Sequence, residues 1–203
     1  MPDPLSPEAF QALTGVSRET LARFETYAAL LIKWQRAINL VGPRTLDDLW
    51  RRHFLDSAQL WALLPPGART LVDLGSGGGF PGLVLALLGV PDVHLVESDR
   101  RKAVFMREVA REIGLSVTVH PRRAEQITGV DADVVTARAL APLAALIDLA
   151  RPFWRPRRSC GLFAKGAEAL RELTDAKKRQ NMRVDRFPSL TDPSGSVLRV
   201  GEI

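Results

Sequence analysis

From Arg69 onward the chain repeats one rhythm, a short β-rich apolar run followed by a helical stretch. The runs are TLVDL (70–74), VHLVE (93–97), SVTVH (116–120), DVVTA (133–137) and CGLFA (160–164). Helical stretches lie near 81–89, 99–113, 141–151 and 168–180. Parallel strands need a crossover long enough to hold a helix, and those helices cover both faces of the sheet. The alternation therefore predicts βαβ units and an open, mostly parallel sheet. MRVDRF (182–187) and SVLRVG (196–201) depart from it, since only the loop from Pro188 to Gly195 separates them. They predict an antiparallel hairpin at one sheet edge. The expected fold is α/β, with seven strands and an antiparallel C-terminal hairpin.

Residues 1–66 read instead as a helical N-terminal extension packed on the same domain. Ser6-Pro7-Glu8 is a helix start, with a capping hydroxyl and proline at the first helical position. From Arg18, apolar residues recur at Leu21, Phe24, Ala28, Leu31 and Ile38, the spacing of one helix face. Gly42-Pro43 breaks that helix. Thr45-Leu46-Asp47-Asp48 resembles a capping box for a further helix, expected to run with a bend to Leu64. Pro65-Pro66-Gly67 closes the segment. The 203 residues make one domain and this extension, because a domain takes roughly 150 residues. A single cysteine, Cys160, forms no internal disulfide and points to a reducing compartment. The longest strongly apolar run, Leu83 to Val90, is far short of the roughly 20 residues a membrane span needs. The opening residues MPDPLSPEAF carry neither a basic stretch nor an apolar signal region. The expectation is a soluble, cytoplasmic monomer.

Ligands of open α/β sheets sit outside the carboxyl ends of the strands, at the first strand-to-helix turn. That turn is Gly75-Ser76-Gly77-Gly78-Gly79-Phe80-Pro81-Gly82. Two registers fit it. Gly77, Gly79 and Gly82 match the G-x-G-x-x-G dinucleotide pattern, whereas Asp73, Gly75, Gly77 and Gly79 match the D-x-G-x-G-x-G pattern of adenosylmethionine-dependent methyltransferases. The apolar strand ends at Leu74, so the first turn glycine should be Gly75. Starting at Gly77 would carry the strand through Asp73 and bury a carboxylate without an evident partner. The methyl-donor register is preferred. Glu97, at the end of the second strand, can accept hydrogen bonds from both ribose hydroxyls, which suits either cofactor.

The segments LVDLGSGGGFPGLVLAL (71–87) and ESDRRKAVFMREVAREIGL (97–115) resemble the bacterial glucose-inhibited division protein B family. NLVG (39–42), RRHFLDSAQL (51–60), RRAEQI (122–127), DVVTARALAPL (133–143) and LFAKG (162–166) extend the likeness over nearly the whole chain. The resemblance implies a class I, Rossmann-like methyltransferase acting on N7 of a guanine in small-subunit ribosomal RNA, with 67–203 as the adenosylmethionine-binding domain. It also implies that Gly75 and Phe80 of the turn, Ala124 and Glu125 after the third strand, and Arg138 after the fourth hold S-adenosylmethionine. Phe80 would offer apolar contact, Glu125 and its neighbouring backbone acceptors for an adenine amino group, and Arg138 paired hydrogen bonds to a carboxylate. Bland alternatives are core packing for Phe80, a helix cap for Glu125 and a structural ion pair for Arg138. Relatives are expected to continue past the last strand with a basic tail, whereas this chain reads Gly201-Glu202-Ile203 there, leaving Arg199 as the nearest cation.

The net charge of +5 is carried by 23 arginines and five lysines, and with a pI of about 10.0 it invites a nucleic-acid partner. Arg123, Lys165, Lys102 and Arg199 are the candidate RNA contacts, with Arg100, Arg101 and Arg122 near them. Arg151, Arg155, Arg157 and Arg158, interleaved with Phe153 and Trp154, are expected on the opposite rim as a solvated loop. Thr136-Ala137-Arg138-Ala139 replaces the Asn/Asp-Pro-Pro-Tyr turn that serves exocyclic amines, and Cys160 reads as core rather than nucleophile. Guanine N7 carries a lone pair and no proton, so no catalytic base is expected. His53 and Asp56 share a helix face and read as a polar anchor of the extension; His94 and His120 look structural. No Cys/His cluster has metal spacing, so no metal is expected. A nicotinamide-type dehydrogenase and a non-enzymatic RNA-binding module remain as alternatives.

Overall fold

A computed structural model describes residues 3–155, 158–179 and 181–201. Among them are seven strands: β1 (Thr70–Leu74), β2 (Asp92–Val96), β3 (Thr118–His120), β4 (Val134–Arg138), β5 (Cys160–Lys165), β6 (Arg183–Pro188) and β7 (Ser196–Gly201). They form one sheet in the order β3-β2-β1-β4-β5-β7-β6. β1 to β5 pair in parallel, and β7 runs antiparallel to both β5 and β6. The chain therefore crosses from β5 to the outermost strand and returns inward as β7. Strand order reverses on either side of β1, which makes its carboxyl end the switch point where such sheets bind ligands.

Helices α1 (Pro7–Thr14), α2 (Arg18–Gln35), α3 (Asp56–Ala58), α4 (Gly82–Leu88), α5 (Arg100–Glu112), α6 (Leu143–Ala150) and α7 (Ala169–Arg179) accompany them. Successive strand residues point to opposite faces, and they divide accordingly between two cores. Leu71, Leu95 and Leu162 pack with residues of α2, α4 and α5; Val72, Val135 and Phe163 pack with residues of α6 and α7. No helix among the described residues is long and apolar enough to cross a membrane.

The N-terminal extension differs from its expected form in two places. Ser6 and Ser17 cap α1 and α2 through Ala9 N (3.2 Å) and Thr20 N (3.0 Å). The apolar stripe of α2 continues to Ile38, yet the helix stops at Gln35. The Gln35 side chain accepts from Leu40 N (2.9 Å) and Val41 N (3.0 Å) and donates to Val41 O (2.8 Å). Those bonds hold the chain in a loop where helix would otherwise continue.

Second, Thr45 caps no helix. Pro43–Asp48 and Gln59–Leu63 are 3₁₀ turns, and Trp50–Leu55 is wound as a π-helix that runs into α3. The Thr45 hydroxyl donates to Gly42 O (2.6 Å) and meets His53 Nε2 at 2.6 Å. A tertiary partner has taken the hydroxyl that a capping box would use. A chain of aromatic contacts, Phe10–Phe24 (5.0 Å), Phe24–Phe54 (5.5 Å) and Phe54–Phe80 (5.4 Å), then ties the extension to the glycine turn.

Candidate active site at the carboxyl ends of the strands

β1 ends at Leu74, and the next residue turns: Gly75, Gly77 and Gly79 have φ of +65°, +56° and +92°. These alternate left-handed positions are the ones the D-x-G-x-G-x-G register places on glycine. Gly82 has another task. It opens α4, and a Cβ there would lie 2.3 Å from Leu95 Cδ2 and 2.9 Å from Asp73 Cβ, so it is needed for helix and strand to approach.

Asp73 corrects one step of the sequence argument. It is fully buried in β1, but it has partners: Oδ1 accepts from Thr136 Oγ1 at 2.8 Å and Oδ2 from Gly82 N at 3.1 Å. Burial still dominates and pushes its carboxyl up to about 6. This carboxylate therefore anchors the turn from below, joining β1, β4 and α4.

The upper side of the turn is held by Glu97. Its Oε2 accepts from Gly77 N (2.9 Å) and its Oε1 from Asp99 N (2.8 Å). Each carboxylate oxygen has a second lone pair, so both remain able to accept from a vicinal diol. Ser76 N donates to Val96 O (3.0 Å), and the Tyr27 hydroxyl donates to Gly78 O. The Phe80 ring is 3% exposed, stacked on Tyr27 at 5.3 Å, and it belongs to the aromatic core while bordering the cavity.

The glycine turn divides the groove in two. On the β2–β3 side lie Glu97, Lys102 in the first turn of α5, and a short 3₁₀ turn, Ala124–Gln126, with Ala124 buried and Glu125 exposed after the exposed Arg123. On the β4–β5 side is a cavity of about 660 Å³ bordered by the glycine turn, Arg52, His53, Asp56, Arg138 and Lys165, with the β6–β7 loop as its far wall. Glu97, after β2, and Arg138, at the end of β4, thus lie on opposite sides of β1 and its glycine turn.

Arg138 is the hub of the second half. Its Nη2 donates to His53 Nδ1 (2.7 Å), and Nη1 donates to Arg52 O (3.0 Å) and Asp56 Oδ2 (3.2 Å). His53 Nδ1 is thus an acceptor and Nε2 carries the proton, donated to Thr45. Burial, then the charges of Arg138 and Arg52, lower the His53 pKa to about 3. The ring is neutral and its basic nitrogen is covered. Asp56 also accepts from Thr191 Oγ1 (2.6 Å), and Gln59 Oε1 accepts from Leu190 N (2.9 Å), which fastens the β6–β7 loop to the extension. Next to Arg138, Ala139 stands at φ +51°, a left-handed value that costs a non-glycine residue strain.

Two of the expected RNA cations have other partners. The Lys165 side chain is 7% exposed; its Nζ pairs with Glu172 at 2.7 Å and donates to Ala141 O at 2.6 Å. Its charge is neutralised inside the cavity wall. Arg199 lies opposite Leu162 in mid-strand, paired with Asp185 at 2.9 Å and placed over the Phe187 ring, away from the strand ends. Arg123 is exposed just after β3 and Lys102 is half-buried in the first turn of α5; neither borders the cavity. Arg155 pairs with Asp133 at 3.0 Å, at the amino end of β4 and so on the opposite rim, whereas Arg157 lies outside the described residues. Cys160 is buried and its thiol is pushed up to about 11 by that burial. His94 Nδ1 and His120 Nε2 bond one another at 2.9 Å, and neither borders the cavity.

Sequence reasoning missed Arg52, Gln59 and Thr191, which come to the cavity through the π-turn, the 3₁₀ turn that follows α3, and the hairpin loop. The available signal was the polar spacing of RRHFLDSAQ, in which Arg52, His53, Asp56 and Gln59 recur at one, three and three residues.

The family model GidB, described as rRNA small subunit methyltransferase G, matches residues 20–194. A ribosomal RNA small subunit methyltransferase G of Rhodospirillum centenum is 64% identical over 194 residues, covering 96% of this chain and 89% of that protein. Its counterpart from Rhodospirillum rubrum is 56% identical over 199 residues and covers 98% of both. Among solved structures, a mutant of MtNAS in complex with S-adenosylmethionine superposes with a TM-score of 0.61 at 17% identity, covering 98% of this chain and 84% of that one. A ribosomal protein L11 methylase from Lactobacillus delbrueckii subsp. bulgaricus gives 0.61 at 15% identity, over 72% and 76% of the two chains. At those identities the likeness is one of fold.

Proposed function

The chain belongs to the GidB family of rRNA small subunit methyltransferases G, and on that footing we propose that it transfers a methyl group from S-adenosylmethionine to N7 of a guanine in small-subunit (16S) ribosomal RNA. The observation that carries the donor half is the glycine turn, left-handed at alternate positions and braced by a Glu97 carboxylate with free acceptor capacity. Backbone without Cβ atoms can lie against the donor, Glu97 can hold its ribose, and Arg138 supplies the cation for its carboxylate. Bound there, S-adenosylmethionine supplies an electrophilic methyl group: the N7 lone pair forms the new C–N bond, the C–S electrons leave with sulfur, and the positive charge passes to the purine.

The second half, guanine N7 as acceptor, is what the family likeness implies, and the described residues of the cavity are compatible with it. An amine or hydroxyl acceptor must lose a proton, and a group placed to take it should be available. Here His53 has both nitrogens bonded, Asp56 is engaged by Arg138 and Thr191, Glu172 by Lys165, and Asp192 by the amide and hydroxyl of Ser194. N7 loses no proton, so positioning is sufficient.

The single-turnover rate at saturating RNA and donor should accordingly be flat from about pH 7 to 9, because burial raises Asp73 only to about 6 and lowers His53 to about 3. A limb below that range belongs to Asp73, whose protonation weakens its hold on Gly82 and Thr136. A log-linear rise above pH 7 would point to a base and to a different acceptor. The product settles the matter directly: RNA from cells lacking the protein, incubated with labelled donor and digested, should yield 7-methylguanosine as its labelled nucleoside.

Glu97→Ala should weaken donor binding by about 1–3 kcal/mol through lost charged hydrogen bonds. Saturating donor should recover much of the rate, since binding shared by ground and transition states drops out of the saturated rate. Calorimetry and donor-dependent turnover test the two parts separately.

A further inference from the structure

Charged side chains bordering the cavity are Arg52, Asp56, Arg138, Lys165, Glu172 and Asp192, together with His53. All but one are engaged, as described above. Arg52 is exposed, and its guanidinium makes no hydrogen bond or ion pair with any described residue. Its backbone is nevertheless fixed, since its carbonyl accepts from Arg138 Nη1 at 3.0 Å and the π-turn holds it beside His53. Arg52 and Asp192 of the β6–β7 loop both border the cavity, and the Arg52 charge adds to the Ser194 bonds that hold Asp192 acidic. An unpaired arginine on an anchored backbone at the entrance to a site is a fork of donors awaiting an anion.

We propose that Arg52 binds a phosphodiester of the RNA strand that presents the target guanine, positioning that strand over the cavity. The inference rests on the RNA-methylation reading above. Two anions could meet this cation, an RNA phosphate and the carboxylate of the methyl donor. The RNA phosphate is favoured because Arg138, half-buried and 5.2 Å from the Phe80 ring of the glycine turn, is the cation assigned above to the donor's carboxylate, whereas Arg52 opens to solvent.

Binding of unmodified small-subunit RNA and of S-adenosylmethionine is measured separately for the wild type, Arg52→Ala, Arg52→Lys and the distant Arg111→Ala. Loss of one phosphate contact on single-stranded RNA should make the slope of log affinity against log salt shallower by about 0.7. Extrapolated from 1 M, that slope change is about fivefold weaker binding at 0.1 M salt. Arg52→Lys should restore most of the slope, because it keeps the charge and loses only the fork. The RNA KM should rise in Arg52→Ala with kcat little changed, and Arg111→Ala should match the wild type. An unaltered salt slope in Arg52→Ala overturns the proposal, and so does a loss of donor affinity with RNA binding intact, which would assign the cation to the donor's carboxylate. A wild type that binds donor but neither binds nor methylates the RNA would instead sink the functional reading itself.

Discussion

Arg138→Ala is expected to lower stability by about 3 kcal/mol and to abolish tight donor binding. The guanidinium is 19% exposed and satisfies Asp56, His53 and the Arg52 carbonyl at once, with its carbon 5.2 Å from the Phe80 ring centroid. Truncation strands a half-buried carboxylate and an imidazole nitrogen in a site built around a cation, and removing one member of such a pair costs far more than the pair contributes. For a chain of this size each kcal/mol shifts the unfolding midpoint by roughly 2–4 °C, so thermal melts should drop by roughly 6–12 °C. Arg138→Lys should not rescue, because an ammonium cannot face three acceptors through a rigid fork. Asp56→Asn separates the two roles of the residue. It loosens the extension and the β6–β7 loop while leaving the cation free, so donor affinity should survive in that variant. A melt unchanged in Arg138→Ala would mean that the extension is held by its aromatic contacts alone.

The parts of this fold that could be read from the chain are those decided locally. β1 occupies Thr70–Leu74 and β7 fills SVLRVG as their β-rich runs predict, because β-branched and apolar residues at consecutive positions suit strands with little exposed surface. The three alternating glycines are similarly local, since a left-handed turn demands them at those places. What could not be read depends on partners far away in sequence. Thr45 looked like a cap until His53 claimed its hydroxyl, and His53 is itself oriented by Arg138, 85 residues further on. Lys165 looked free at a strand end because Glu172 reaches it from α7. The inner position of β7 did leave a trace: Val197, Leu198 and Val200 are all buried, whereas β6 carries Arg183, Asp185 and Arg186, the composition of an edge. Phe80 shows the limit of a family likeness. The likeness implies an apolar contact to the donor, whereas the ring packs on Tyr27 and Phe54 in the core that fastens the N-terminal helices and only borders the cavity.

Gly75→Val should leave a folded protein with no measurable donor binding. At φ +65° a β-branched side chain is strained by roughly 1–2 kcal/mol, and its Cβ would fall 2.7 Å from Leu140 Cδ1. Leu140 is 42% exposed and its side chain can swing aside, so the core below the turn is spared. The cost falls on the surface of the turn. Either the backbone rotates out of the left-handed region, which carries Gly77 away from Glu97, or the valine methyls occupy the face where a donor must lie. Both outcomes remove the cradle while Asp73, Thr136 and Gly82 keep β1 and α4 together. Gly82→Ala is the contrast, because its Cβ meets Leu95 and Asp73 in the core, and overpacking there should cost about 1–3 kcal/mol of stability. Calorimetric titration with S-adenosylmethionine beside a thermal melt distinguishes the two glycines. Gly75→Val should lose the heat of binding with a melt near that of the wild type, and a normal affinity in that variant would refute the placement of the donor against this turn.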